Sequence, residues 1–248
     1  MFFRERLQHE DGLLRGVLCV IPSAVSAQAI AAAGADFILI DREHGPIGRE
    51  TMHAMIAATA GTACSPLVRV PAIDEAEVKA ALDAGAEGIV FPFVRSAEDV
   101  ERCAAAVTYP PAGARGWGPL AAHSRWGTPL NRYAGLVGTH VTCGVLIETG
   151  AAVQDIDEIV ETAGLDFAMV APFDLSNSIG LRGRVDMPAF TEAVARVERA
   201  ARDKVPLGGV ALTQEQTADL TAKGYRVLLN GFDVLMLKAS TAAFKDWQ

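Results

Sequence analysis

The sequence predicts a single (β/α)8 barrel of the TIM type over residues 1–248, and three observations lead to it. Eight short apolar runs recur along the 248 residues, each about 4–7 residues long, the length of a buried strand. Ala-rich segments of helical period separate most of them. Several of these segments close on a glycine immediately before the next run, at Gly34, Gly85, Gly164 and Gly224, where glycine ends a helix cheaply in the left-handed conformation. Strand and helix therefore alternate, which calls for a parallel sheet. No Gly-x-Gly-x-x-Gly follows the first run, so a dinucleotide-binding sheet is disfavoured.

In order, the predicted strands are Gly16–Ile21, Phe37–Ile40, Pro66–Val70, Gly88–Phe93, Cys143–Ile147, Phe167–Ala171, Pro206–Leu212 and Val227–Asn230. The predicted helices are Ala24–Ala33, Arg49–Ala60, Glu75–Ala84, Ala97–Ala106, Ala152–Thr162, Pro188–Asp203 and Gln214–Lys223. One segment breaks the rhythm. Residues 109–142 hold Pro-Pro-Ala-Gly-Ala-Arg-Gly-Trp-Gly-Pro and then His123-Ser-Arg-Trp126, and a loop of that length in a compact domain is usually functional or an interface arm. Because it comes after the fourth strand, it is expected on the same face as the strand ends.

Composition narrows the partners. A formal net charge of −8 with scattered Lys and Arg leaves no footprint for nucleic acid or an anionic membrane. Small molecules are the expected ligands. Cys19, Cys64, Cys103 and Cys143 form no Cys-x-x-Cys pair, which argues against a zinc ribbon or a disulfide scaffold and for thiols in a reducing, cytoplasmic setting. Arg4, Glu5 and Arg6 interrupt the N-terminal stretch where a secretory leader needs an apolar core. No apolar run approaches the roughly 18 residues of a membrane span.

The chemistry gathers where apolar strands end. Phe37-Ile-Leu-Ile40 breaks into Asp41, Arg42, Glu43 and His44; Leu67-Val-Arg69 carries a guanidinium; Val145-Leu-Ile147 is followed by Glu148; and Met169-Val-Ala-Pro-Phe173 is followed by Asp174. In a barrel these positions converge on one mouth. Glu148 and Asp174 are hard oxygen donors on adjacent strands, suited to Mg²⁺ or Mn²⁺ completed by water and substrate. The plainer reading of either is a solvated strand-end carboxylate or a helix cap. Arg69 needs an anion, either a substrate carboxylate or a permanent partner in Glu43 or Asp174. His44 is a candidate base or a structural histidine, with Asp41 and Glu43 as supporting acids. Asp83 sits near a helix C-terminus, where a carboxylate is unfavourable, so a partner such as a histidine of this or a neighbouring subunit is expected.

Four stretches, taken together and in order, resemble the class II, metal-dependent pyruvate aldolases that include 4-hydroxy-2-oxoheptanedioate aldolase and 2-dehydro-3-deoxyglucarate aldolase. They are Ile40-Asp-Arg-Glu-His-Gly-Pro46; Val68-Arg-Val-Pro71 with Leu82-Asp-Ala-Gly85; Tyr109-Pro-Pro-Ala-Gly-Ala-Arg-Gly116; and Ile147-Glu-Thr149 with Pro172-Phe-Asp-Leu-Ser176. The resemblance implies a homohexamer with swapped C-terminal helices and a divalent ion (Mg²⁺, Mn²⁺ or Co²⁺) held by Glu148 and Asp174. It further implies His44 as base, Asp83 raising its basicity, Arg69 stabilising the enolate, and the backbone around Phe173 holding the donor carboxylate. Lys238, in the last predicted helix, is poorly placed for an imine mechanism.

Two departures bear on the donor. Leu146 stands where such aldolases carry Gln, and Ala171-Pro-Phe-Asp174 replaces Gly-Pro-Ala-Asp, so a larger or altered 2-oxo acid such as hydroxypyruvate is one expectation. Oxaloacetate decarboxylation or a citrate-lyase-like reaction keeps the same metal and enolate, although no basic cluster offers a place for coenzyme A phosphates. A non-catalytic barrel that binds a small acid is the reading from outside enzymology.

Overall fold

The computed structural model describes residues 1–8 and 12–246. Eight strands, β1 Leu14–Cys19, β2 Phe37–Asp41, β3 Ser65–Arg69, β4 Gly88–Phe91, β5 Thr142–Ile147, β6 Phe167–Val170, β7 Leu207–Val210 and β8 Tyr225–Phe232, close into a barrel. Each strand pairs in parallel with its neighbours in sequence, and β8 returns to β1. This is the predicted (β/α)8 architecture.

Strand alternation divides the core in two. Ile38, Ile40, Val68, Ile89 and Val145 face outward onto the helices. Phe37, Leu39, Leu67, Val90, Leu146, Phe167, Met169 and Leu229 fill the inside. Large and small residues alternate there: Gly16 lies in register with Phe37 and Gly144 with Phe167, and a Cβ at either glycine would run into the facing ring. The barrel is thus a packed core rather than a pore.

A helix that the sequence pattern did not reveal, Phe3–Gln8, closes the N-terminal end. Phe3 is fully buried with its ring 5.5 Å from Phe37 and 6.0 Å from Phe167. Acids that immediately precede three strands tie it down. Arg6 pairs with Asp36, the Phe3 N–H donates to Glu87 at 3.1 Å, and Arg4 Nε donates to Asp166 at 2.7 Å. The opposite end stays open for ligand.

Three expectations are corrected. The predicted helix Ala152–Thr162 is two short ones, Gly150–Gln154 and Ile156–Ile159, parted at Asp155, whose carboxylate accepts the Ala97 N–H at 2.7 Å. Strand β4 stops at Phe91, because Pro92 offers no N–H to a ladder and Phe93 takes φ +58°. Segment 109–142 does not emerge among the strand ends of its own barrel. It leaves the helix Ala97–Val107, so it lies at the N-terminal end, where Trp126 meets Phe2 at 5.3 Å and Arg125 donates to Thr59 Oγ1 at 2.8 Å.

The last helix, Asp233–Ala242, buries only its first residue. The Asp233 carboxylate accepts the N–H groups of Val20 and Ile21 at 3.1 and 3.0 Å. Beyond it Val234, Leu235, Met236 and Leu237 are exposed, an apolar run left without cover within one chain. Among the described residues no helix is long and apolar enough to cross a membrane.

Candidate active site

On three strands, β2, β3 and β5, the inward apolar row is followed by a charged residue. Two residues beyond Leu39 comes Asp41, two beyond Leu67 comes Arg69, and two beyond Leu146 comes Glu148. The same alternation that buries the leucines lifts these groups to the C-terminal mouth. There Asp41 and Arg69, with His44, Phe173 and Asp174, rim a cavity of about 250 Å³ floored by Leu18, Leu39, Leu146, Met169 and Leu229. Larger clefts of about 410 and 580 Å³ hold none of these strand-end charges: one lies against the outer side of β6 and β7, the other at the barrel's N-terminal end.

Asp41 and Arg69 are partners in register. Arg69 Nε donates to Asp41 Oδ1 at 2.9 Å and Nη2 to Oδ2 at 2.7 Å, a bidentate pair in which the carboxylate is fully buried. Oδ1 also accepts the N–H groups of Glu43 and His44 at 3.0 and 3.2 Å, so one carboxylate sets both the guanidinium and the loop after β2. Glu43 Oε2 lies 3.2 Å from Arg69 Nη1, too poorly aligned for a hydrogen bond. Arg69 therefore has Asp41 as its main partner and Glu43 as its second, rather than Glu43 or Asp174 alone. Burial works against its charge, but the Asp41 bond and the surrounding carboxylates hold it firmly protonated.

Glu148 is 3% exposed and accepts the Phe93 N–H at 2.5 Å. Burial pushes its carboxyl up to about 7; the Phe93 N–H opposes this, while the charges of Glu43 and Asp174 add to it. Burial likewise raises Glu43, against Arg69 and His44. Buried carboxyls that also repel one another are a setting in which a bound cation would favour their ionised forms. Among the described residues no three His, Cys, Asp or Glu side chains form a closed cage. Two carboxylates with open positions suit a hard octahedral ion that keeps water and substrate oxygens, so the donor set fits a divalent cation.

His44 stands at the rim. Its side chain is 62% exposed and Nε2 is 3.7 Å from Glu43 Oε1. Phe173 is the second residue of the helix Pro172–Ser178 beside it, where the first-turn N–H groups lack intrahelical acceptors. Asp83 is not part of this cluster in its own chain. It ends the helix Glu75–Asp83 at the opposite pole and pairs with the buried Arg115, Nη2 to Oδ1 at 3.2 Å, rather than with a histidine. Burial raises its carboxyl, and Arg115 and Lys79 oppose that. The residue that sequence reasoning missed is Phe93, which acts through its backbone; a left-handed phenylalanine, strained by roughly 1–3 kcal/mol, has no residue-type signal.

Comparisons with known proteins assign the chain to a family. A family model described as HpcH/HpaI aldolase/citrate lyase matches residues 20–239. The chain is 35% identical over 188 residues to the hydroxypyruvate/pyruvate aldolase of Agrobacterium fabrum, covering 76% of this chain and 70% of that one. It is 32% identical over 223 residues to the 2-dehydro-3,6-dideoxy-6-sulfogluconate aldolase of Pseudomonas putida, covering 90% and 87%. The crystal structure of an HpcH/HpaI aldolase/citrate lyase family protein from Burkholderia cenocepacia superposes with a TM-score of 0.91 at 30% identity, over 98% of this chain and 97% of the other. A closed parallel barrel, acids and a guanidinium at its open end, and a match over most of its length together make this chain a member of the HpcH/HpaI aldolase/citrate lyase family, an aldolase that makes or breaks a carbon–carbon bond in 2-oxo acids.

Proposed function

We propose that the chain is a divalent-metal aldolase that joins a small 2-oxo acid such as pyruvate to an aldehyde, or cleaves the resulting 4-hydroxy-2-oxo acid. The observation that carries this reading is the pairing, around one small cavity, of a crowded carboxylate set with a locked guanidinium. Glu148 and Asp174 would hold Mg²⁺, Mn²⁺ or Co²⁺. Bound there, the ion supplies Lewis acidity toward the keto oxygen of the donor.

Every other part falls to the chain's own residues. His44 takes the proton that leaves C3 of the donor. Arg69 faces the negative charge that develops on the donor oxygen, an effect of order 3 kcal/mol in comparable sites. Asp41 keeps Arg69 and the His44 loop in place, and Glu43 balances their charge. The first-turn amides at Phe173 receive the donor carboxylate. The C3 carbon then bonds to the aldehyde carbon, and the new alkoxide takes up a proton; cleavage runs the same steps backward.

His44 is half in solvent, and helix Asp233–Ala242 exposes an apolar run; both features support an oligomer in which that helix is exchanged between copies. In such an assembly Asp83 of a second copy serves His44. A hexamer located in the cytoplasm accords with this reading. The test is incubation with pyruvate, Mg²⁺ or Mn²⁺ and a panel of aldehydes, read by mass detection of adducts. Adducts lost with EDTA and with His44→Ala support the proposal; adducts that survive chelation sink the metal. A parallel incubation with oxaloacetate alone that yields pyruvate, where pyruvate and aldehydes yield no adduct, would favour the decarboxylase reading.

A further inference from the structure

Phe93, two residues past the end of β4, takes a positive φ that non-glycine residues seldom adopt. Among the described residues, Arg182 and Asp203 are the other two non-glycine residues with positive φ. At φ +58° a bulky residue is in a region it seldom occupies. Phe93 is 49% exposed, so packing of the side chain does not account for the conformation.

What the conformation achieves is visible in its amide. The Phe93 N–H points at Glu148 Oε1, 2.5 Å away. One residue further along on both sides, the contact repeats in the opposite sense: Thr149 Oγ1 donates to the Val94 carbonyl at 3.0 Å. That hydroxyl also accepts the Ala152 N–H at 3.0 Å, so both its functions are used. The loop after β4 and the end of β5 are braced at two successive residues, and Glu148 lies inside the brace.

We propose that Phe93 is a positioning residue whose left-handed backbone, latched by Thr149, fixes the Glu148 carboxylate in the orientation that takes the divalent cation. The inference rests on Glu148 being a metal ligand. Partners that orient a ligating carboxylate typically change metal affinity by roughly 10–100-fold when removed, because the unbraced side chain must be ordered on binding.

The test is Mn²⁺ binding to the metal-free protein without substrate, by calorimetry or by the spectrum of free Mn²⁺, with thermal unfolding of each metal-free variant alongside. Phe93→Pro, which lacks the N–H and cannot adopt the conformation, should weaken binding about tenfold or more. Phe93→Gly, which keeps the N–H and adopts positive φ readily, should bind within about twofold of the native protein. Thr149→Val should weaken binding severalfold and Thr149→Ser should restore it; this pair carries the test if Phe93→Pro does not fold. Unchanged affinity in Phe93→Pro and Thr149→Val overturns the inference, as does a loss in Phe93→Gly equal to that in Phe93→Pro. If the native protein binds Mn²⁺ no better than Glu148→Gln, Glu148 is not a ligand and both readings fall.

Discussion

Asp41 and Arg69 sit side by side in the parallel register of β2 and β3, and two hydrogen bonds of 2.9 and 2.7 Å lock the guanidinium to a carboxylate with no exposed surface. Both groups have lost their water, so each depends on the other. Removing one partner of such a pair leaves an uncompensated buried charge, at a cost of about 3–5 kcal/mol. Asp41→Ala should lose that much stability in urea unfolding and drop activity with it, since the same oxygen also holds the amides of Glu43 and His44. A loss below about 1 kcal/mol, the scale of an exposed pair, would show that Asp41 is not the anchor.

Glu148 gives the metal-free protein a definite pH dependence. Burial lifts its folded pKa from an ordinary 4.5 to about 7, and Glu43 is raised in the same direction. Between those values the folded state holds more protons than the unfolded one, so unfolding free energy falls as pH rises. The stabilising contribution is whole below about 4.5 and gone above about 7. Urea titrations of EDTA-treated protein should show stability declining across that window, and Glu148→Gln should remove most of the slope. Because the ligand must be ionised, Mn²⁺ affinity should climb over the same range. A flat stability profile in the native protein would mean that Glu148 is already ionised without metal.

Why some of this was legible in the sequence and some not follows from the range of each signal. Leu39 with Asp41, Leu67 with Arg69, and Leu146 with Glu148 are each two residues apart, and a period of two puts both on one face. Local sequence therefore disclosed the floor and the rim together. The partner of Arg69 was less clear, because four acids (Asp41, Glu43, Glu148 and Asp174) follow apolar runs and only register puts Asp41 beside it. Segment 109–142 was assigned to the wrong end because the intervening helix Ala97–Val107 reverses the direction of the chain. Arg115 lies 32 residues from Asp83, and no periodicity reaches that far. The short helix Pro172–Ser178 was hidden by its Pro and Ser, which suggest a loop.

Asp83 and His44 occupy opposite poles of one chain, which makes their cooperation testable by mixing. His44→Ala and Asp83→Asn should each lower turnover by at least about 100-fold, the scale of lost general base catalysis. If Asp83 of one copy serves His44 of another, co-refolding the two inactive variants builds some sites with both native residues. Activity should then return in the mixture, well above that of either variant alone. Mixtures that stay inactive, with size-exclusion chromatography showing mixed oligomers, would remove Asp83 from the site.

Leu146 is the position from which donor choice can be argued. It is 2% exposed in the cavity floor, beside Leu39, Met169 and Leu229, none of which offers a hydrogen bond. A donor that directs a hydroxyl downward would bury it without a partner, at about 1–3 kcal/mol. The methyl group of pyruvate meets no such cost, whereas the hydroxyl of hydroxypyruvate fits only if it turns toward the charged rim, so the apolar floor weighs against the hydroxypyruvate expected from the Leu146 departure in the sequence. Leu146→Gln supplies a donor and an acceptor at the floor, and should shift kcat/KM toward hydroxypyruvate relative to pyruvate by about tenfold, or 1.4 kcal/mol. Steady-state rates on the two donors with one aldehyde decide the matter. An unaltered ratio would mean that the C3 substituent never faces Leu146, and would move donor selection to the wall formed by Phe173.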